Sequence, residues 1–171
     1  DAGGIIGAGA KPTECRAFLD ALEKEASVHA MVAEAGVLGL ARGLARHGQS
    51  PTALASPATQ QWLKAIADQS QVTALSATAT AEQRTQAVSL LTLADFSTLR
   101  MLSEKLLQPN QPELVSVAFI QLLRERREPS GAPLLLKSWS GLRPAAREAT
   151  VTALISRKEW LEPLLDAVEK Q

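Results

Sequence analysis

The chain has 171 residues, of which 46% are hydrophobic and 21% charged, enough for one compact domain or a short repeat array but not for two independent domains. Eighteen Lys and Arg offset eighteen Asp and Glu, and aromatics are 4% with no tyrosine, a balance that argues against the basic, ring-bearing surface of a nucleic-acid binder. Cys15 is the single cysteine, which rules out an internal disulfide or a thiolate zinc cluster, and no apolar run reaches the roughly eighteen residues that a membrane span needs.

The opening stretch Gly4-Ile5-Ile6-Gly7-Ala8-Gly9-Ala10-Lys11 invites comparison with a phosphate cradle. A P-loop needs Gly-Lys-Ser/Thr after its four-residue spacer, but Ala10 stands where the lysine belongs and Lys11 where Ser/Thr belongs. The dinucleotide fingerprint fails as well. Pro12 occupies its third glycine position, and the six residues before Gly7 cannot supply the preceding strand. Residues 1–12 therefore read as a flexible linker or an artificial boundary, and 13–171 as a single domain. No basic-then-apolar leader is present, and a start at Asp1 suggests a processed protein or an excised piece.

From Pro12 the spacing of Cys15, Phe18, Leu19, Leu22 and Ala26 predicts an amphipathic helix with Thr13 as its N-cap. A second helix follows from Val32 to Arg46, with Val37, Leu40, Ala41 and Leu44 on its apolar stripe. Gly36, Gly39 and Gly43 each cost about 1 kcal/mol against alanine in a helix interior, so they point to close approach of a neighbouring helix. The alternative of a membrane dimer face is interrupted by Arg42 and Arg46. Gly48 to Pro57 reads as a loop, and further helices are expected over 58–69, 80–93, 95–107, 112–126, 131–138, 144–156 and 158–169, with no strand pattern.

The C-terminal half repeats. Aligning Val88, Ile120 and Val151 gives periods of 32 and 31 residues (120 − 88 and 151 − 120), and brings Leu91, Leu123 and Leu154, then Leu102, Leu134 and Leu165, into register. Each unit is a helix, a turn and a second helix, and such a pair must stack on its neighbours to bury its apolar face. In the last pair, Trp160, Leu161, Leu164, Leu165 and Val168 carry that face. The fold expected is all-α: an α-solenoid of about four to five HEAT-like helix pairs in a right-handed superhelix.

The runs "LLQPNQPELVSVAFIQLL", "APLLLKSWSGLRPAAREATVTALISRKEWLEPLLDAVEK" and "LGLARGLARHGQSPTAL" resemble the HEAT-like helical region of large exported proteins of planctomycetes and verrucomicrobia. The resemblance covers roughly residues 30–170 and is carried by Trp139, Pro144, Arg147, Leu154, Arg157, Trp160 and Leu164-Leu165-Asp166, which are packing and turn positions. It implies a helical region between a propeller similar to a membrane-bound dehydrogenase and a c-type haem domain, in an exported or periplasmic protein. It carries no catalytic residue over. The haem attachment pattern Cys-x-x-Cys-His is absent from this chain, so no cofactor is expected on it.

Reactive side chains have structural explanations at hand. His29 falls seven residues after Leu22, where it continues the first helix's apolar stripe as a packed histidine; His47 ends a helix beside Arg46, where a cation suits the helix dipole. Cys15 lies on the buried stripe as a small hydrophobe. Glu23, Lys24 and Glu25 form an exposed face, and "RERRE" at 124–128 closes a helix before Pro129 as a solvated end. No catalytic, cofactor or metal residue is assigned. Trp62, Trp139 and Trp160 are the candidate packing or interaction anchors, since each buries a large apolar area while keeping an indole N–H to satisfy. The expected function is a non-catalytic scaffold that docks a protein or neighbouring domains of the same chain, without nucleic acid or a membrane span. The alternatives are a regulatory domain binding a small apolar ligand beside Trp62 or Trp139, and an all-helical enzyme with its site in an inter-helix groove.

Overall fold

Prolines, caps and turns divide the chain into helices. A computed structural model describes residues 2–126 and 128–169, so Asp1, Arg127, Lys170 and Gln171 lie outside the described residues, Arg127 of the "RERRE" run among them. The described residues form eleven α-helices and two 3-10 turns, with no strand. Where one domain was expected over 13–171, the chain clusters into two compact units: residues 1–70 with 90–94, and 71–89 with 95–171.

In the first unit the opening residues are helical. α1 (Ala2–Gly9) packs on α3 (Ala30–Ala45), which corrects the expectation of a flexible linker over 1–12. The reason is glycine facing glycine. A Cβ on Gly3 would lie 2.4 Å from the Gly36 carbonyl oxygen, and one on Gly7 would lie 2.6 Å from that of Leu40. Gly43 meets the Gly7–Ala8 backbone in the same way, so the two backbones run alongside in the same direction at a distance no other residue permits. The close approach expected of Gly36, Gly39 and Gly43 is found at Gly43, where the neighbour is α1, whereas the open side of Gly36 takes the Leu22 side chain of α2.

α2 (Pro12–Glu25) buries Cys15, Leu19 and Leu22, with Phe18 half-buried. Pro12 occupies its first position, where a missing N–H costs nothing, so Lys11 is the cap and Thr13 lies inside the helix rather than capping it. His29 is exposed and caps α3, not packed on the α2 stripe, because the helix ends at Glu25 before the stripe reaches it. Within the expected loop, Ser50 accepts a hydrogen bond from the Ala53 N–H and starts the four-residue α4 (Pro51–Leu54). α5 (Pro57–Leu75) follows, its start capped by Ser56 accepting from the Thr59 N–H.

The second unit holds helix pairs. α6 (Ala81–Leu90) begins with a reciprocal capping box: Gln83 Oε1 accepts from the Thr80 N–H, and Thr80 Oγ1 from the Gln83 N–H. α7 (Phe96–Leu106) is capped by Asp95, whose carboxylate accepts from the Thr98 N–H at 2.7 Å. α8 (Glu113–Arg126), α9 (Gly131–Ser138), α10 (Pro144–Ile155) and α11 (Lys158–Glu169) complete it, with α10 on α8 and α11 on α9.

The repeat register is partly kept. Leu91, Leu123 and Leu154 are all buried, as are Val88 and Ile120, but Val151 is exposed. Leu102 is buried, Leu134 half-buried and Leu165 exposed. Of the apolar face expected on α11, Trp160 alone is fully buried, and Leu161, Leu165 and Val168 are exposed.

Candidate functional site

The three tryptophans occupy different environments. Trp160 is fully buried. Its indole lies against Gly131, the first residue of α9, and its Nε1–H donates to the Glu128 carbonyl at 3.1 Å. Arg157, one turn earlier, stands 5.8 Å from the ring centroid and donates through Nε to the Arg124 carbonyl at 3.0 Å. Arg157, just before α11, and Trp160 in its first turn thus place a cation over an aromatic face and satisfy one carbonyl in the last turn of α8 and one just beyond it. This is the arrangement of a packing anchor.

Trp139 sits in a 3-10 turn (Trp139–Gly141) and is half-buried, with the Arg147 guanidinium 5.7 Å from its centroid. Arg147 also donates to the Ser140 carbonyl, and Arg143 to that of Pro109. Trp62 is half-buried on α5 and lies apart from both clusters in sequence and unit.

Basic side chains reach helix ends throughout, a use that sequence reading missed. Arg16 donates to the Leu54 carbonyl at the end of α4. Arg84 is buried and donates to the Ala74 carbonyl of α5 at 2.8 Å and to Gln111 Oε1. His47 was expected to serve its own helix, but its Nε2 bonds instead with the Ala8 carbonyl at the end of α1. The last turn of every helix leaves carbonyls without intrahelical partners, and cationic donors also favour its dipole. Arg124, read from sequence as part of a solvated end, supplies the carbonyl that Arg157 holds.

Cys15 has 0% exposure, and its thiol donates weakly to the Ile6 carbonyl across 3.8 Å. Burial pushes its pKa up, and the Glu14 carboxylate adds to the effect, so the thiolate needed for nucleophilic chemistry is disfavoured. Asp20 and Glu23, one turn apart on α2, both lie within 2.8 Å of the buried Thr59 hydroxyl. Glu23 is thereby partly withdrawn from the exposed face expected for it. Among the described residues, no three His, Cys, Asp or Glu side chains converge at metal-binding spacing.

A groove of about 240 Å³ runs between α8 and α10, bordered by Ile120, Gln121 and Arg124 on one side and Glu148, Thr152 and Ala153 on the other. None of the tryptophans lines it. No described helix is long and apolar enough to cross a membrane. Searches of protein-family models, curated proteins and solved structures found no match to this chain.

Proposed function

We propose that the chain is a non-catalytic helical-repeat scaffold of the HEAT-like α-solenoid kind, one that presents stacked helix pairs to other proteins or domains. The observation that carries this reading is a ladder of bonds, each spanning one repeat. Ala145 N–H donates to Glu113 Oε1 at 2.7 Å, and Trp160 Nε1 to the Glu128 carbonyl, both across 32 residues. Lys137 meets Glu104 across 33, Arg157 the Arg124 carbonyl across 33, and Arg143 the Pro109 carbonyl across 34. Each pair therefore donates to the pair before it, the nearest-neighbour connection on which repeat proteins rest.

The polar chemistry is spent on this architecture. The Arg84, Arg143, Arg147 and Arg157 guanidiniums all contact carbonyls within the second unit, and the Cys15 thiol is sealed in the first. At about 240 Å³ the α8–α10 groove falls below the roughly 300–1,000 Å³ of ordinary ligand pockets. The resemblance noted in the sequence extends the proposal: the scaffold links a dehydrogenase-like propeller to a c-type haem domain in a larger exported protein.

Amide hydrogen exchange on the full chain tests the scaffold reading. In Trp160→Ala, protection should fall most in α9 and α11, less in α8, and not at all in α2 and α3, because repeat stability is a sum of neighbour terms. A uniform loss of protection across α2 to α11 would contradict the reading, as would turnover or stoichiometric metal binding by the purified chain.

A further inference from the structure

We infer that the α3 seam also accepts α1 from a second copy of this chain, so that two chains join by exchanging α1. The inference goes beyond the scaffold reading and stands on the first unit alone.

Only Ala10 and Lys11 join α1 to α2, which opens directly on Pro12. Ala10 holds φ at +48°, the left-handed region that alanine avoids because its Cβ crowds the following carbonyl oxygen, and among the described residues it is the only one besides glycine to do so. Lys11 is extended, the conformation favoured before a proline. Closing α1 onto its own α3 therefore strains Ala10, and swinging α1 outward lets that residue return to an ordinary conformation. A short hinge under strain is the setting in which segments exchange between copies. The exchange does not depend on what precedes α1, since the hinge follows the helix and any upstream chain is carried with it.

The contacts of α1 say what fits the seam. Its buried positions are Gly3 and Gly7, while Ile6 is half-buried and Ile5 is 75% exposed, so backbone proximity rather than a large side chain holds it. A Cβ at Gly3 or Gly7 would strike the α3 backbone between Gly36 and Leu44, which excludes helices without glycine at that spacing. Two carbonyls add to the hold: that of Ile6 accepts from the Cys15 thiol, and that of Ala8 bonds with His47 Nε2 at 3.0 Å. Every one of these partners lies beyond the hinge, on α2, on α3 or just after it. The α1 of a second copy therefore meets the same seam, thiol and imidazole, with the strain at Ala10 released. An eight-residue helix is not stable alone in water, so an α1 that has swung out needs such a seam. The closed chain avoids the entropy cost of association, and exchange accordingly grows with concentration.

Sedimentation velocity on the full chain, refolded from urea over a range of concentrations, tests the exchange. Wild type should show a dimer fraction that rises with concentration, and Ala10→Gly, which removes the strain of closure without touching the seam, should lower that fraction at least about threefold. Complementation then separates exchange from an ordinary surface dimer. Gly7→Leu makes α1 too bulky for any seam, and Gly43→Leu blocks the seam while leaving α1 intact. Each alone should be monomeric, with Cys15 reacting with a maleimide at least about tenfold faster than in wild type, because α1 no longer covers it. Refolded together, they should form a one-to-one heterodimer, α1 of the Gly43→Leu chain lying on α3 of the Gly7→Leu chain, and the thiol of the Gly7→Leu chain alone should become slow to react. Circular dichroism checks that the leucine variants fold, and the Ala10→Gly comparison decides the matter if they do not. The inference is overturned by a wild type that stays monomeric at every concentration, by a dimer fraction indifferent to Ala10→Gly, by homodimers of either leucine variant, or by a folded mixture that gives no heterodimer.

Discussion

A methyl group on Gly131 would stand 2.6 Å from Cζ2 of Trp160, so the largest side chain of α11 occupies a slot that exists because α9 begins with glycine. Gly131→Ala should therefore destabilise the chain by about 1–3 kcal/mol through overpacking, and Trp160→Ala by about 3–5 kcal/mol through the cavity left behind. Urea unfolding monitored by far-UV circular dichroism measures both. A Gly131→Ala chain as stable as wild type would mean that the indole can move aside.

The α1–α3 contact predicts a contrast between neighbouring glycines. Gly7→Ala places its methyl on the backbone of Leu40 and Gly43, which cannot rotate away, whereas Gly9→Ala meets nothing within 4 Å. Gly7→Ala should cost about 1–3 kcal/mol despite alanine's better helix propensity, while Gly9→Ala should be neutral or mildly stabilising. Thermal unfolding of the two variants side by side decides it.

Thr150 is fully buried on α10, and its hydroxyl has no hydrogen-bond partner. An orphaned buried hydroxyl carries its desolvation cost with no return, so the isosteric Thr150→Val should raise stability by about 1–2 kcal/mol. A loss of stability of that size in the same urea titration would show that the hydroxyl is satisfied after all.

Asp95 gives a pH signature. Hydrogen bonds from the Thr98 N–H, first in effect, and from the Ser97 hydroxyl hold its carboxyl below the usual aspartate range. A carboxyl with a depressed folded pKa contributes stability that is fully present above its unfolded pKa, near 4, and is lost as pH falls through the lower folded value. The Asp95→Asn chain should match wild type more closely at pH 2 than at pH 6, in denaturant midpoints taken at the two pH values. A gap independent of pH would assign the cap's effect to geometry rather than charge.

The helical class was legible because it rests on local rules. Apolar spacing, Pro12 and Pro144 at first helical positions, and the Thr80–Gln83 capping box act within a turn or two of chain, which is the range over which one sequence can be read. The periods of 32 and 31 residues, read from the same local patterns, are kept in burial at Leu91, Leu123 and Leu154 but not at Val151 or Leu165. Of the three tryptophans singled out as packing or interaction anchors, Trp160 is fully buried.

The rest depended on what lay opposite. "GIIGAGAK" reads as flexible while its glycines count only as lost entropy, but its first six residues belong to helix α1, because Gly3 and Gly7 on one side and Gly43, far along the chain, on the other let the two backbones approach. His47 reaches the end of α1 rather than its own helix because helix ends are satisfied by whichever donor is near in space, and arginines such as Arg84 and Arg157 reach carbonyls that no spacing rule connects to them. Local periodicity determined that the chain is built from helices and roughly where each begins. Tertiary structure alone decided which apolar faces are covered, as at Trp160 and Ile120, and which are left open, as at Val151 and Leu165, because burial is a property of two surfaces and each stretch of sequence specifies one.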